Sequence, residues 1–239
     1  MIDAYVILLE DQTEKFLLND MIKVKCGGVK VNPFTAVTPE TIEDDLTLFE
    51  NFDGKKFKWN WPKHSSEDRL DMQTGLYKFC YSAKSQEKKV ACSLSHMLLW
   101  DLCVSDNKPI IVFESDARML RSIDEKDLEM FKGNKVVGLN DPRGATRGAS
   151  LYHERVSQTR GVQKTPVINR MDDPPYPQGL AGHSAYYIEP EGAKELLDKV
   201  ETYGMFPNDA YMCRELFPWI RVVYPYYTRV SGDLSTTTS

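Results

Sequence analysis

The chain has 239 residues, 41% of them hydrophobic and 27% charged, with a formal net charge of -5. That length suffices for one full hydrophobic core, and the composition is that of an ordinary folded protein rather than a disordered one. The acidic balance excludes a general attraction to nucleic acid or to an anionic membrane surface.

One domain is expected over residues 1–239. No apolar run is long enough to span a bilayer, and the opening run reads without a signal leader. Cys26, Cys80, Cys92, Cys103 and Cys213 are scattered without C-x-x-C spacing. Neither a disulfide framework nor a zinc site is therefore expected, and a cytoplasmic setting fits best.

Ala4 to Leu9 reads as a first strand, and Asp11 to Lys25 carries Phe16, Leu17, Met21, Ile22 and Val24 at helical spacing. Gly27-Gly28 ends that helix, Val29 to Val37 is a second strand, and Thr38-Pro39-Glu40 starts another helix. From Asp53 to Lys63 the charge is +3, with Phe57, Trp59 and Trp61 among four lysines. Exposed, these rings would stack on a base or sugar; buried, they would pack under an edge strand guarded by lysines.

Lys89 to Val104 is dense enough in apolar residues for a central, buried helix, with Cys92, His96, Trp100 and Cys103 on one face. His96 reads as a hydrogen-bonded core histidine, and Ser93 and Ser95 as caps near the helix start. Ile110 to Phe113 is a buried strand followed at once by Glu114-Ser115-Asp116. Its acids fall at a strand's C-terminal end, where open α/β sheets bind ligands and paired carboxylates hold a divalent cation or ribose hydroxyls. An ordinary polar exit from the strand is the simpler alternative.

Asp124 to Phe131 suggests a short helix and Lys135 to Leu139 a strand. Between Asp141 and Arg170 the periodicity lapses while the charge reaches +4. A long basic loop is expected over 141–178, suited to phosphate through its arginines. Gly179 to Ala185 is a run of mostly small residues that lets backbone approach a ligand closely. Tyr186 to Ile188 is a strand, Pro190 to Val200 a helix, and Asn208 or Asp209 caps a further helix running through Met212 and Leu216. Ile220 to Tyr227 is a last strand, and the tail 234–239 is polar.

Five segments, in order, resemble glycosyltransferase family 25, the group of lipooligosaccharide and collagen galactosyltransferases. They are Tyr5-Val6-Ile7-Leu8-Leu9; Cys92-Ser93-Leu94-Ser95-His96 with Trp100; Phe113-Glu114-Ser115-Asp116-Ala117; Gly182 with Ala185-Tyr186-Tyr187-Ile188 and Gly192-Ala193; and Pro207-Asn208-Asp209. Ser115 stands where the family pattern has a further Asp, and Glu10-Asp11-Gln12 where arginines often follow the first strand.

The resemblance implies an α/β chain of the GT-A, Rossmann-like class, with a central mixed sheet flanked by helices. It implies transfer of a hexosyl or pentosyl group from a nucleotide-sugar donor, with inversion. By that resemblance Asp116 binds Mn²⁺ or Mg²⁺ and Glu114 serves the donor ribose; an inverting displacement needs a carboxylate base, for which Asp209 is the first choice, a mere helix cap being the alternative. Asp172, Asp173 and His183 are further candidates for the base. Arg143 and Arg147 are placed on the donor phosphates, and His183 also lines the donor site. A glycan or lipooligosaccharide acceptor is expected first. The alternatives are a bacteriophage-type enzyme acting on hydroxymethylated bases in DNA, and a non-catalytic nucleotide- or glycan-binding module.

Overall fold

The computed structural model describes residues 1–9, 28–42, 48–50, 56–80, 86–143, 148–180 and 182–231. The helix expected over Asp11–Lys25, Arg147 and the tail 234–239 lie outside the described residues. The strands are β1 (Ile2–Leu8), β2 (Val29–Thr35), β3 (Leu48–Glu50), β4 (Lys56–Lys58), β5 (Arg69–Asp71), β6 (Leu76–Lys78), β7 (Ile110–Glu114), β8 (Ala117–Met119), β9 (Val136–Gly138), β10 (Gly161–Lys164), β11 (Ala185–Ile188), β12 (Arg221–Tyr224) and β13 (Thr228–Val230). The α-helices among the described residues are α1 (Gln86–Ser105), α2 (Glu125–Phe131), α3 (Ala149–Val156), α4 (Pro190–Tyr203) and α5 (Asn208–Tyr211).

Seven strands form the central sheet in the order β10-β12-β9-β11-β7-β1-β2. β1 is parallel to both β2 and β7, β12 is parallel to β9, and β11 runs antiparallel between β7 and β9. The sheet is therefore mixed and flanked by helices, a Rossmann-like α/β architecture consistent with the GT-A class. The C-terminal ends of β1, β2, β7, β9 and β12 share one edge. Successive parallel strands lie on opposite sides of β1, β2 on one and β7 on the other, so the β1/β7 boundary is the switch point where such sheets open a crevice.

Burial follows from the period of two. On β7, Ile110 and Val112 face the cluster built with α1 and α4, whereas Ile111 and Phe113 face the cluster built with Phe131 of α2. A strand covered on both faces has to be apolar throughout, which is why Ile110 to Phe113 is an unbroken apolar run. α4 comes close to β9 because Gly192 has no side chain: a Cβ there would meet the Lys135 carbonyl oxygen at 2.5 Å.

Several expectations change. Trp59 and Trp61 are 4% and 3% exposed, so both belong to the core and cannot stack on an external base. The segment 141–170 is not structureless, because it contains α3 and β10. Tyr152 and Val156, four residues apart, put one face of α3 against Val222 and Tyr226. Ser93 and Ser95 are not caps, since α1 begins at Gln86. The Ser93 hydroxyl instead donates to the Phe206 carbonyl (3.1 Å), and Ser95 Oγ donates to the Ala91 carbonyl (3.0 Å) while accepting from the Val37 amide (2.9 Å). Thr38-Pro39-Glu40 opens only a three-residue 3-10 turn, Pro39–Thr41, and the helix after Pro207 is confined to Asn208–Tyr211.

Candidate active site

Glu114 is the last residue of β7 and, two positions beyond Val112, it turns toward α1 at the switch-point edge. Its amide donates to the Ser184 carbonyl (2.8 Å), which fixes its backbone to the entrance of β11. His96 Nε2 lies 3.1 Å from Glu114 Oε1, and His96 Nδ1 lies 2.8 Å from the Tyr186 hydroxyl. Trp100 Nε1 donates to that same hydroxyl (2.9 Å). His96 and Trp100 are one helical turn apart on α1, and Tyr186 comes from β11 in register with Val112, so all three meet between helix and sheet. Burial works to raise the Glu114 pKa, but the His96 hydrogen bond and the imidazoles of His96 and His183 hold it below the usual value.

Glu114 and Asp116 offer hard oxygen donors within one turn, a set that fits Mn²⁺ or Mg²⁺. Among the described residues Cys92, His96 and Glu114 also bring potential ligand atoms within 4.8 Å of one another, a softer set suited to zinc. Within that trio His96 and Glu114 are joined by a hydrogen bond. Burial together with the charges of Glu114, Asp209 and Asp116 raises the Cys92 thiol well above its ordinary pKa, so a metal there would have to displace its proton.

Asp209 belongs to the same cluster. The loop before it is tied to α1 by the Ser93–Phe206 hydrogen bond. Gly179 lets the Asp209 turn approach, since a Cβ on Gly179 would lie 1.9 Å from the Asp209 carbonyl oxygen. Asp209 is not the N-cap of α5, a place taken by Pro207. Asp209 is exposed to solvent, although the protein around it still restricts the hydration of its carboxyl. Burial first, and then the negative charge of Glu114, push its pKa up to about 6, against the lowering influence of the Ala210 and Asp209 amides and of Lys89. Lys89 is itself buried, which depresses its pKa while Cys80 and Asp209 partly restore it.

Two buried polar side chains next to these acids in the fold have no hydrogen-bond partner among the described residues: the Ser184 hydroxyl and both polar atoms of the Asn208 amide. Buried polar groups are ordinarily satisfied, so orphans beside converging carboxylates fit a place that a ligand or water completes.

The remaining candidates are distributed differently. His183 is 6% exposed, with Nδ1 3.3 Å from the Leu180 carbonyl and Nε2 2.9 Å from Met212 Sδ, so both nitrogens face protein behind Glu114. Burial and the neighbouring His96 lower its pKa to about 4. Arg143 lies after β9 and is held by Asp141, whose Oδ1 accepts from Nε (3.0 Å) and whose Oδ2 accepts from Nη2 (2.7 Å). Asp172 and Asp173 are exposed, and Asp173 accepts from the Arg170 amide (3.0 Å). Lys89, Cys92 and Tyr186, which neighbour Asp209, Glu114 and His96, were given no site role from the sequence. Their signal was position alone: Cys92 and His96 share a helix face, and Tyr186 follows the small-residue run.

No helix among the described residues is long and apolar enough to cross a membrane. No curated protein matches the sequence. The model of glycosyltransferase family 25, described as an LPS biosynthesis protein, matches residues 1–212, a span that holds the β1 strand, the His96 helix, the Glu114 turn, the Tyr186 strand and Asp209. On that match over most of its length, the chain belongs to glycosyltransferase family 25.

Proposed function

We propose that the chain is a metal-dependent, inverting glycosyltransferase that moves a sugar from a nucleotide-sugar donor to a hydroxyl of a glycan of the lipooligosaccharide type. The observation that carries this reading is the position of Glu114 at the end of β7, beside the β1/β7 switch point, within electrostatic reach of Asp209. In this reading Asp116 and Glu114 are the donor-side acids, with Asp116 the metal ligand and Glu114 serving the ribose. Bound there, Mn²⁺ or Mg²⁺ would supply positive charge to the departing diphosphate.

Asp209 supplies the opposite half of the chemistry. A carboxylate with a pKa of about 6 is ionised at neutral pH yet more basic than an ordinary one, as a general base requires. It takes the proton of the acceptor hydroxyl while the oxygen's electron pair forms the bond to the anomeric carbon. The bond from that carbon to the diphosphate oxygen breaks on the opposite face, and its electrons leave with the nucleoside diphosphate. Arg143, which follows β9 at the C-terminal edge of the sheet, is a candidate phosphate contact through whatever capacity its pairing with Asp141 leaves, and His183 packs near Glu114. Arg147, which lies outside the described residues, stays a candidate phosphate contact on the arginine content of its segment.

The test is transfer from a panel of nucleotide sugars to an oligosaccharide, and to hydroxymethylated DNA, with Mn²⁺ present. Glycan product with inverted anomeric configuration supports the reading. Product on DNA alone would replace the acceptor, and nucleotide-sugar binding without turnover would make the chain a binding module.

A further inference from the structure

We propose that Trp100, Tyr186 and His96 form a buried positioning relay that locks the Glu114 carboxylate in one orientation toward the donor. The proposal rests on the donor-site reading of Glu114 given above.

Counting hydrogens fixes the direction of the relay. An ionised carboxylate only accepts, so the His96 nitrogen 3.1 Å from Glu114 Oε1, Nε2, carries a hydrogen. The Tyr186 hydroxyl accepts from Trp100 Nε1, whose indole nitrogen can only donate. Its own hydrogen then points to His96 Nδ1 at 2.8 Å, leaving that nitrogen bare. One arrangement satisfies every member: Trp100 donates to Tyr186, Tyr186 donates to His96 Nδ1, and His96 Nε2 donates to Glu114. In this arrangement Nε2 is the donor to Glu114 and Nδ1 the acceptor from Tyr186.

The surroundings leave this arrangement little freedom. Trp100, Tyr186 and His96 are each fully buried, and the His96 and Tyr186 rings stack with centroids 5.7 Å apart at 26°. Only Glu114 reaches solvent, with 31% of its side chain exposed. Among the described residues Oε1 is taken by His96, while Oε2 has no hydrogen-bond partner and is the oxygen available to a ligand. Partners that orient a ligand-binding carboxylate from behind in this way typically alter affinity about 10- to 100-fold when removed. Tyr186 and Trp100 touch no reacting atom, so they act through His96.

Two measurements test the relay. Long-range ¹⁵N–¹H spectra of the histidine side chains should show His96 as the Nε2–H tautomer, and Tyr186→Phe, which keeps the ring and removes only the hydroxyl, should lose that lock. Titration with Mn²⁺ and UDP, GDP or CMP should show Tyr186→Phe weakened about 10- to 100-fold. His96→Leu should weaken at least as much, and His96→Gln, whose amide nitrogen replaces the Nε2 donor, should recover most of the loss. Melting temperatures measured in parallel separate positioning from collapse, because a purely structural role would not be rescued by Gln at unchanged stability. Wild-type nucleotide binding with Tyr186→Phe binding equally well, or an Nδ1–H tautomer in the wild type, would overturn the relay. No binding of any nucleotide by the wild type would instead defeat the donor reading, and with it the purpose assigned to the relay.

Discussion

Asp209 is the residue on which the proposed chemistry turns, because burial and Glu114 together place its pKa near about 6. A base must be unprotonated, so kcat/KM should fall as pH drops through that value. Asp209→Asn should remove this acid limb and lower kcat about 100- to 10,000-fold, the usual contribution of general-base catalysis. The same substitution should affect stability in the opposite direction. The folded pKa lies above the ordinary Asp value of 3.8, so near neutral pH the folded protein carries a carboxylate charge that its site disfavours. Asp209→Asn should therefore melt higher than wild type at pH 7.5, with the gain shrinking below pH 6 and vanishing below about pH 4. Melting curves across pH check this. The identity of Asp209 was legible in the Pro207-Asn208-Asp209 motif. Its poise was not, because it depends on Glu114, which sits on a strand far away in sequence. His96 shows the same limit: helical spacing correctly buried it, but only the tertiary fold sets its ring between Tyr186 and Glu114.

At the scale of elements, the Asp209 side of the site depends on a short segment held by close backbone approach, and the Glu114 side on the long helix α1. α5 has only four residues, and its position is set by Gly179 against the Asp209 carbonyl and by Ser93 on the Phe206 carbonyl. A methyl on Gly179 would collide with main chain that has no rotamer to move. Gly179→Ala should therefore displace the Asp209 turn, costing about 1–3 kcal/mol of stability or more, with a larger proportional loss of kcat than of donor binding. Denaturant titration and steady-state kinetics together measure the two effects. Elements with a sustained apolar pattern, such as α1 and β7, were readable from spacing alone. α3 was not, since its eight residues carry just two that the core needs, Tyr152 and Val156, among arginine, histidine and glutamate. The expected basic loop was thus half right, with charge as read and regular structure inside it.

For the whole molecule, the decisive feature is the sheet order, which brings the ends of β1 and β7 together and makes one edge the binding edge. No local sequence pattern encodes that order. It was reached through five short segments in family sequence, each weak alone, and the seven-stranded mixed sheet agrees with what they implied. The basic, tryptophan-bearing stretch near Trp59 fell to the core instead, because two indoles fill volume under α1 and α4 that lysine side chains cannot fill. The most direct test of the whole account is the Mn²⁺-dependent turnover of nucleotide sugar by wild type and by Asp116→Ala, with folding confirmed by melting temperature. Turnover that requires the metal and falls at least about 100-fold in a stably folded Asp116→Ala is the predicted result. Undiminished turnover in that variant, or turnover indifferent to metal, would contradict the account.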